Sequence, residues 1–323
     1  MKIIKNKKKI DEMISKASNI FIVGHKYLDL DAIGSNIGIY EYVKSFNKKP
    51  VIIVNDKVLE AGVKKVIDKV GKNYQIAKSN KIKHRIKEDS LLIITDTNKK
   101  ALLQDPALAD LFNNILIIDH HEYNETSINK GLAVVDDKLS SACEMITYLL
   151  NEAKIIVNKD VATVILSGIV LDTNNFALKT TEETYKAAYL LASMGAKPNH
   201  VQTLLKQNIK EYIERTEVIT DVKIYNNIAI AASKPSIIYR REELAKMADL
   251  LLQFNGIKAS FVIGKISHTK VGVSARSEGK LNVGDVLEHL NGGGNAYEAA
   301  CQVEKMRIKK VEESIKDILK SFK

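Results

Sequence analysis

The sequence predicts an α/β protein in which a domain built on a parallel sheet precedes a smaller α/β domain. Three observations support this prediction. The first two hundred residues alternate short apolar runs, typical of buried strands, with longer helical patterns. A polar stretch then separates them from a second set of strand and helix patterns. The length of 323 residues and the 45% of apolar side chains suit two globular units.

Four short apolar runs predict the strands of the first domain, and each ends at or near a polar residue. They are residues 20–23, 51–54, 91–95 and 115–119. Helical periodicity predicts helices at residues 32–46, 141–152 and 160–167. Because parallel strands present their carboxyl ends at one edge of a sheet, the polar residues that follow them are expected to line a cleft there.

A polar stretch at residues 196–225, with Pro198 near its start, predicts a long connecting helix. It separates a first domain at residues 1–195 from a second domain at residues 226–323. The second domain shows strand patterns at 228–232, 259–266 and 271–275. Helix patterns lie at 241–254 and 283–290, and the sequence ends in an amphipathic lysine-rich segment.

Membrane and secretory classes of protein do not fit the sequence. Its longest mainly apolar stretch, residues 161–171, is far shorter than a bilayer span. The basic residues 1–10 lead into polar residues instead of the apolar stretch of a signal peptide. We therefore expect a cytoplasmic protein without a membrane partner.

The cysteine content and the net charge do not identify a binding partner. The cysteines are Cys143 and Cys301, which lie in different halves among apolar or small neighbours, so neither a disulfide framework nor a thiolate metal site is indicated. The net charge of +10 would attract anionic substrates over a long range. A solvated lysine surface is the simpler explanation of that charge, because lysine supplies most of it.

Three potential metal ligands lie within seven residues of each other. His25, Asp29 and Asp31 occupy the segment between a predicted strand and a predicted helix. Such a loop presents its side chains at the mouth of the sheet, and the start of a helix favours negative charge, so imidazole and carboxylates can converge there on divalent ions. By itself the loop is also compatible with a capping turn in which Asp31 is the helix N-cap.

Further His and Asp residues end other apolar runs. Asp96 and Asp172 each follow such a run, and Asp119, His120 and His121 end a third. A lone residue of this kind is more often a cap or a turn former. Placing this many His and Asp residues at one sheet edge would cost free energy unless cations neutralised the carboxylates. The sequence therefore predicts a metal site there. Oxygen and imidazole ligands indicate manganese, magnesium or iron.

The pattern of these residues resembles the DHH phosphoesterase superfamily, which includes RecJ exonucleases, family II pyrophosphatases, nanoRNases and GdpP-type cyclic-di-AMP phosphodiesterases. The order and the spacing of the motifs match over the whole chain. The resemblance implies a metal-dependent phosphodiesterase with two divalent ions, manganese being the expected metal. It assigns His25, Asp29 and Asp96 to one ion, and Asp31, Asp96, His120 and Asp172 to the other.

Two residues are implied to act in catalysis. Asp96 would be shared between the two ions. His121 would be a non-ligand, close enough to orient the scissile phosphate or to assist the leaving oxygen. A nucleophilic serine is not required, and the pair Ser140 and Ser141 is interpreted as the cap of the following helix.

The second domain resembles the DHH-associated substrate domain, and residues 248–251, 259–263, 273–277 and 282–283 are most similar to GdpP-type enzymes. The resemblance implies a nucleotide site made of Ser274, Arg276, Gly292, Gly293, Gly294 and Asn295. Arg276, placed after the strand, would offer a two-pronged fork to a phosphate, and the glycines would let backbone amides approach one. A glycine triplet is equally typical of a helix end and a turn.

One residue departs from the family pattern. The family runs Gly-Gly-Gly-His, whereas Asn295 follows the glycine triplet here. Asparagine can hydrogen-bond a phosphate or a base, but it cannot carry a positive charge or donate a proton as histidine can. The departure bears on the identity of the substrate and not on the metals.

Three functions follow from the resemblance. The leading hypothesis is hydrolysis of cyclic di-AMP to linear pApA, with AMP as a further product. A nanoRNase or pAp phosphatase acting on short linear oligonucleotides needs the same metals. A nucleotide receptor without turnover is the third hypothesis, and the full set of ligands argues against it.

The expected partner is a small nucleotide and not a long nucleic acid, because the sequence shows no further nucleic-acid domain and no aromatic stacking tract. The sequence also lacks the transmembrane, sensory and degenerate cyclase segments of membrane-bound GdpP-type proteins. A free-standing catalytic unit is therefore expected. A homodimer is compatible with the resemblance, although no residue pattern establishes one.

Overall fold

The computed structural model describes residues 1–206, 209, 212–213 and 217–322, with the side chain of Glu242 excepted. The chain divides into two compact units, Met1–Gln207 and Asn208–Lys323. Among the described residues, every helix is too short or too polar to cross a bilayer.

A parallel sheet forms the centre of the N-terminal unit. Its strands are β1 (Ile20–Val23), β2 (Val51–Ile53), β3 (Ile76–Ala77), β4 (Leu91–Thr95), β5 (Asn114–Asp119) and β6 (Leu132–Val135). They lie in the order β3-β2-β1-β4-β5-β6, and every neighbouring pair is parallel. The four predicted strands are confirmed. The two edge strands β3 and β6 escape prediction because they are short and only partly buried.

Helices cover both faces of this sheet. They are α1 (Lys2–Lys5), α2 (Lys7–Lys16), α3 (Leu30–Lys44), α4 (Ala61–Lys69), α5 (Ser79–Ile82), α6 (Leu108–Leu111), α7 (Ala142–Glu152), α8 (Lys159–Asp172), α9 (Glu182–Ser193) and α10 (Pro198–Leu205). Successive side chains of β1 point to opposite faces, so Ile20 and Ile22 enter one core, and Phe21 and Val23 enter another. Burial on both faces explains why the strands are apolar throughout instead of alternating.

The boundaries of helices α3 and α8 differ from the predicted ones at positions that matter for the site. Helix α3 begins at Leu30, because the Asp29 carboxylate accepts hydrogen bonds from the backbone N–H groups of Asp31 and Ala32 and is therefore the N-cap. Asp31 is not the cap. Helix α8 continues to Asp172, five residues beyond the predicted end at residue 167. The expectation that Asp172 ends an apolar run at a sheet edge is wrong, because its side chain reaches the site from the last turn of a helix.

The chain order of the parallel strands reverses between β1 and β4. From β1 the sheet runs to β2 and β3 on one side, and to β4, β5 and β6 on the other. In open α/β sheets, the loops that follow the two strands at such a reversal leave on opposite faces of the sheet. A crevice therefore opens at the carboxyl ends of these two strands. This crevice is where the loops after β1, β4 and β5 converge.

The predicted connecting helix is not a single helix in the described residues. Helix α10 packs on α8 and α4 in the N-terminal unit. A short 3-10 turn, Glu217–Ile219, and strand β7 (Lys223–Tyr225) lie in the C-terminal unit. The remaining positions of the predicted helix at 207, 208, 210, 211 and 214–216 lie outside the described residues. The border between the units therefore falls inside the predicted connector.

The C-terminal unit is a mixed sheet with helices on both faces. Its further strands are β8 (Ile228–Ala232), β9 (Ala259–Lys265), β10 (Lys270–Ser277), β11 (Gly293–Gly294) and β12 (Glu298–Glu304), in the order β11-β12-β10-β9-β8-β7. Helix α11 (Arg241–Leu252) covers one face, and α12 (Val283–Glu288) and α13 (Ile308–Ser321) cover the other. The second α/β unit is confirmed, whereas β7, β11 and β12 were not predicted.

Candidate metal centre

The sequence-predicted His and Asp residues of the N-terminal unit converge at the crevice of its parallel sheet. His25 and Asp29 follow β1, Asp96 follows β4, and His120 follows β5. Their ligand atoms form two groups that match the predicted ligand sets, and within each group these atoms lie within 4.8 Å of one another. These groups are His25, Asp29 and Asp96, and Asp31, Asp96, His120 and Asp172. Asp96, Asp119, His120 and His121 form a third group within the same distance.

The first group is built around the ring of His25. Its Nε2 atom lies 3.3 Å from Asp96 Oδ2 and 3.7 Å from Asp29 Oδ1. Its Nδ1 atom lies 2.8 Å from the carbonyl oxygen of Lys26, which suits a ring that donates from Nδ1 and leaves Nε2 for a ligand. Two carboxylates and one imidazole nitrogen thus face a common point.

The second group is built around the ring of His120. Its Nε2 atom lies 3.2 Å from Asp172 Oδ2, 3.3 Å from Asp96 Oδ1 and 3.9 Å from Asp31 Oδ2. Asp96 therefore belongs to both groups, with one carboxylate oxygen turned toward each. A single side chain joins the two constellations.

The buried donor atoms of the second group are short of partners. Asp96 is 3% exposed, and within the described residues neither its Oδ1 atom nor His120 Nε2 forms a hydrogen bond. Leaving buried polar atoms unpaired costs free energy, so such atoms call for a ligand. A hard divalent cation fits this donor set, because it accepts carboxylate oxygen and imidazole nitrogen together.

The charges of the group also call for a cation. Burial by itself lowers the pKa of His25 and His120, but the carboxylates around them raise each pKa well above its usual value. Burial and the nearby Asp96 and Asp172 carboxylates raise the pKa of Asp31. Among the protein groups alone, the imidazoles must hold protons to balance the carboxylates. Divalent ions would supply that positive charge instead.

Asp31 is fixed by the N-terminus of helix α7. Its Oδ2 atom accepts a hydrogen bond of 2.8 Å from the backbone N–H of Ala142, and its Oδ1 atom accepts one of 2.8 Å from that of Cys143. The start of a helix stabilises negative charge. Ser141 caps this helix by accepting from the backbone N–H of Glu144, which confirms the predicted cap.

The contact between Asp31 and the start of helix α7 also requires a glycine on helix α8. A Cβ atom at Gly168 would lie 2.5 Å from Cys143 Sγ and 2.8 Å from Asp31 Oδ1. The absence of a side chain at this position lets α8 approach α3 and α7 closely enough for Asp172 to reach His120. Cys143 is fully buried in this contact, in agreement with its predicted packing role.

His121 does not join either group of proposed ligands, but it lies beside them. Its ring is 55% exposed, and its Nδ1 atom lies 3.9 Å from Asp96 Oδ1. The buried Asp119 carboxylate lies 2.8 Å from the same nitrogen and accepts hydrogen bonds from the backbone N–H groups of both histidines. Asn98 donates a hydrogen bond to the other oxygen of Asp119. Asp119 is thus a positioning residue with its own oxygens occupied.

Sequence reasoning missed the residues that hold the loop of His25. Asp56, just beyond the end of β2, accepts hydrogen bonds from the backbone N–H groups of Tyr27 and Leu28. Gln104 donates hydrogen bonds to Asp56 and to the carbonyl oxygen of His25. The signal that identified the other residues, a polar side chain after a buried strand, applied to Asp56 as well.

The proposed nucleotide residues lie in the C-terminal unit and only partly converge. Ser274, Gly292 and Gly293 line a pocket of about 270 Å³, together with Arg241 and Gln302. A Cβ atom at Gly293 would meet nothing within 4 Å, so this glycine leaves open space for a ligand.

The other two glycines of the triplet are required by packing. A Cβ atom at Gly292 would lie 2.5 Å from Cys301 Cβ, and one at Gly294 would lie 2.3 Å from the carbonyl oxygen of Glu298. Gly294 also has a φ of 154°. Packing and turn geometry therefore explain Gly292 and Gly294, whereas they do not explain Gly293.

Arg276 and Asn295 are engaged within the unit. Arg276 lies inside strand β10 and not after it, and its Nε atom donates a hydrogen bond of 2.6 Å to Asp249 on helix α11. The side-chain oxygen of Asn295 accepts hydrogen bonds from the backbone N–H groups of Tyr297 and Glu298. Asn295 thus shapes the turn before β12 through its side-chain amide oxygen, an atom that histidine lacks.

Two family descriptions match the chain. Residues 19–169 match the DHH family, N-terminal domain, and residues 226–323 match the DHHA1 domain. The chain contains a DHH-family N-terminal domain and a DHHA1 domain. The cluster of His and Asp residues lies inside the first match, apart from Asp172 just beyond it, and Ser274 to Asn295 lie inside the second.

Proteins of known activity are similar to this DHH protein. The cyclic-di-AMP phosphodiesterase GdpP of Geobacillus thermodenitrificans is 33% identical over 319 residues, which are 96% of this chain and 48% of the relative. The bifunctional oligoribonuclease and PAP phosphatase NrnA of Mycoplasma genitalium is 24% identical and is matched over 96% of its length. The chain spans about half the length of the cyclic-di-AMP phosphodiesterases that it matches.

A solved structure shares the fold. The crystal structure of an exopolyphosphatase-related protein from Bacteroides fragilis superposes with a TM-score of 0.78 over 98% of this chain and 96% of that one, at 20% sequence identity.

Replacing Gly168 should disturb the site through packing. The Gly168→Ala variant must move α8 away from Cys143 and Asp31, and we expect a loss of roughly 1–3 kcal/mol in the free energy of unfolding, measured by urea denaturation. Gly71→Ala is the control, because its Cβ atom would meet only side-chain atoms of Ile76 and Ile67 at 3.3 Å or more. Equal stability of the Gly168 variant and the wild type would contradict the close-approach argument.

Divalent metal should stabilise the protein through Asp96. A manganese concentration a hundredfold above Kd contributes roughly 2.7 kcal/mol, which raises the unfolding temperature of a unit of this size by ~5–10 °C. In Asp96→Asn both groups lose an anionic ligand, so the shift measured by thermal denaturation should largely disappear. His121→Ala should keep the shift if His121 is a non-ligand, as the family resemblance implies, and a lost shift would add His121 to the ligands. A full shift in Asp96→Asn would remove Asp96 from the metal centre.

Proposed function

We propose that this DHH protein is a two-metal phosphodiesterase that hydrolyses cyclic di-AMP to linear pApA, with AMP as a further product. The single observation that carries the proposal is the pair of His and Asp groups that share Asp96, with unpaired buried donor atoms turned toward the shared point. The 33% identity to a cyclic-di-AMP phosphodiesterase over nearly the whole chain supports the substrate class.

Each group would hold one divalent ion. His25, Asp29 and Asp96 would bind the first, and Asp31, Asp96, His120 and Asp172 would bind the second. When bound, such a pair of ions lowers the pKa of a water molecule and stabilises negative charge on the attacking and leaving oxygens. We propose manganese as the metal, because the ligand set combines oxygen and nitrogen donors without sulfur.

The protein's own residues would position the phosphodiester and move a proton. His121 is the exposed imidazole nearest to Asp96 among the predicted residues, and Asp119 fixes its orientation through Nδ1. A ring held in this way presents Nε2 to a substrate, and a proton on that atom can pass to the leaving oxygen. Asp119 would support the protonated ring in the same manner as the orienting carboxylate of a catalytic dyad.

The C-terminal unit carries its own candidate nucleotide-binding residues. Gly293 offers an unobstructed backbone, and Ser274 lies in the same pocket. Arg276 is held by Asp249 through Nε, so a phosphate would meet a guanidinium whose orientation is already set.

A nanoRNase or pAp phosphatase acting on short linear oligonucleotides is the second candidate. The side-chain oxygen of Asn295 is used by the turn before β12, which leaves only its amide group to a ligand. A protein named as an oligoribonuclease and PAP phosphatase is also similar over its full length. Both candidates use the same metal centre and differ in the nucleotide that the C-terminal unit accepts. The cytoplasmic location and a homodimer stay predictions.

Product analysis separates the two candidates. Purified protein with manganese is incubated with cyclic di-AMP or with linear pApA, and the products are resolved by chromatography. We expect faster turnover of the cyclic substrate, and no turnover by Asp96→Ala. Cleavage of pApA alone would favour the nanoRNase and identify Asn295 as the residue to test. No turnover of either would leave a nucleotide receptor as the remaining hypothesis.

His121 should matter for the rate and not for metal binding. We expect His121→Ala to lower kcat on the order of 10²–10⁴-fold, as is typical for loss of a general acid, while the metal-induced rise in unfolding temperature is retained. Asp119→Asn should lower kcat less, since the ring remains but loses its anionic partner. Unchanged kcat in His121→Ala would exclude His121 from catalysis.

A further inference from the structure

A second pocket lies in the N-terminal unit, between the chain before helix α7 and the chain after Asp172. It has a volume of about 480 Å³ and is lined by residues 137–139, 176–177 and 179–181 and by Tyr185. The first segment leads into the start of α7, whose N–H groups hold Asp31. The second follows Asp172, and four residues of chain reach at most about 14 Å. The pocket is therefore within the reach of a nucleotide bound at the metal centre.

The chain after Asp172 adopts an uncommon backbone conformation. Asn174, Asn175 and Phe176 have φ angles of 46°, 58° and 63°. Asparagine tolerates this left-handed region, whereas a bulky residue such as phenylalanine rarely adopts it. The backbone N–H of Asn175 donates to the carbonyl oxygen of Val170, and that of Phe176 donates to Thr173 Oγ1. The fold thus holds Phe176 in a strained position, as is common at functional sites.

This conformation places the ring of Phe176 against Tyr185 of helix α9. The two ring centroids are 5.5 Å apart, and the ring planes differ by only 16°. Phe176 packs against the hydrophobic core of the unit, whereas Tyr185 is 59% exposed. The stack therefore has an anchored inner ring and an accessible outer ring. Stacked aromatic rings of this kind bind nucleobases, since every base has a π-face.

The charges around the pocket favour an anionic ligand. Lys138 and Lys179 are exposed on its lining, with Asp137 as the single carboxylate there. Within the part of the chain that the structure describes, neither lysine forms an ion pair. Two ammonium groups against one carboxylate leave a net positive charge, which suits the phosphate of a nucleotide.

We propose that this pocket is a nucleotide subsite in which a purine base stacks on Tyr185 while Lys138 and Lys179 contact a phosphate of the same molecule. The inference rests on the proposed phosphodiesterase function, and it names where one nucleotide of the substrate is held. A purine is favoured because its two fused rings cover more of the exposed tyrosine face than a pyrimidine does.

Steady-state kinetics test the subsite with variants on one helix face. Tyr185→Ala should raise KM for the dinucleotide roughly five- to hundredfold, the range expected for loss of one stacked base, while kcat changes little. Tyr185→Phe keeps the aromatic face and should behave like the wild type. Tyr189→Ala is the matched control, because Tyr189 lies one turn further along α9, is 70% exposed and does not line the pocket. Equal KM values for Tyr185→Ala and Tyr189→Ala would overturn the proposal.

A parallel pair of variants tests the phosphate contact. The Lys138→Ala and Lys179→Ala variants should each raise KM, and the increase should shrink at high salt, because screening weakens the lysine contacts in the wild type. Lys186→Ala on α9 removes an exposed lysine outside the pocket and should leave KM unchanged. A rise in KM of the same size in Lys186→Ala would show that only the overall charge matters and would contradict a local contact.

A binding measurement keeps the subsite testable if no substrate is hydrolysed. Titration of the protein with 2-aminopurine ribonucleoside 5′-monophosphate should quench the fluorescence of the base, because stacking on an aromatic ring quenches it. We expect quenching with the wild type, Tyr185→Phe and Tyr189→Ala, and none with Tyr185→Ala. Quenching without hydrolysis of any dinucleotide would reject the proposed function and retain the subsite. Hydrolysis with identical quenching in all variants would reject the subsite and retain the proposed function.

Discussion

The buried carboxylate of Asp96 is the constraint on which the rest of the N-terminal unit depends. It turns one oxygen toward His25 and the other toward His120, in a place where water does not reach it. A carboxylate in this position is stable only if positive charge is close on both sides. The fold brings imidazoles and possible cation ligands to this point from three places. They are the crevice between β1 and β4, the loops that follow these strands and the end of α8.

The supporting contacts are made by backbone groups as much as by side chains. Asp31 accepts from the N–H groups that begin α7, and Asp29 caps α3. Asp56 accepts from the N–H groups of the loop that precedes α3. Oriented N–H groups stabilise carboxylates without adding counter-charge. The carboxylates therefore keep their negative charge for a cation, while their positions are set by the ends of helices.

Sequence reasoning found the elements whose signals are local. The central strands are continuous apolar runs, and the ligands after β1, β4 and β5 stand at their ends, so both could be predicted from the chain. Most of α8 was predicted as a helix, but its last turn, which carries Asp172, was not, because the apolar run continues to residue 171 without a polar residue that marks a helix end. The stack of Phe176 on Tyr185 was not predicted, since it arises from a left-handed turn that apolar patterning does not reveal.

The distribution of the proposed ligands along the chain has a consequence for the order of assembly during synthesis. The donors of the first group are all present once residue 96 has been added, whereas the second group is complete only with Asp172. Translation runs from the N-terminus, so a nascent chain that folds as it leaves the ribosome offers one complete set of donors well before the other. The second set also needs α7 and α8 to be packed together, because Asp31 is held by α7 and Asp172 is carried by α8. The second set of donors is therefore complete only after the chain that forms α7 and α8 has been added, whereas the first set precedes both helices.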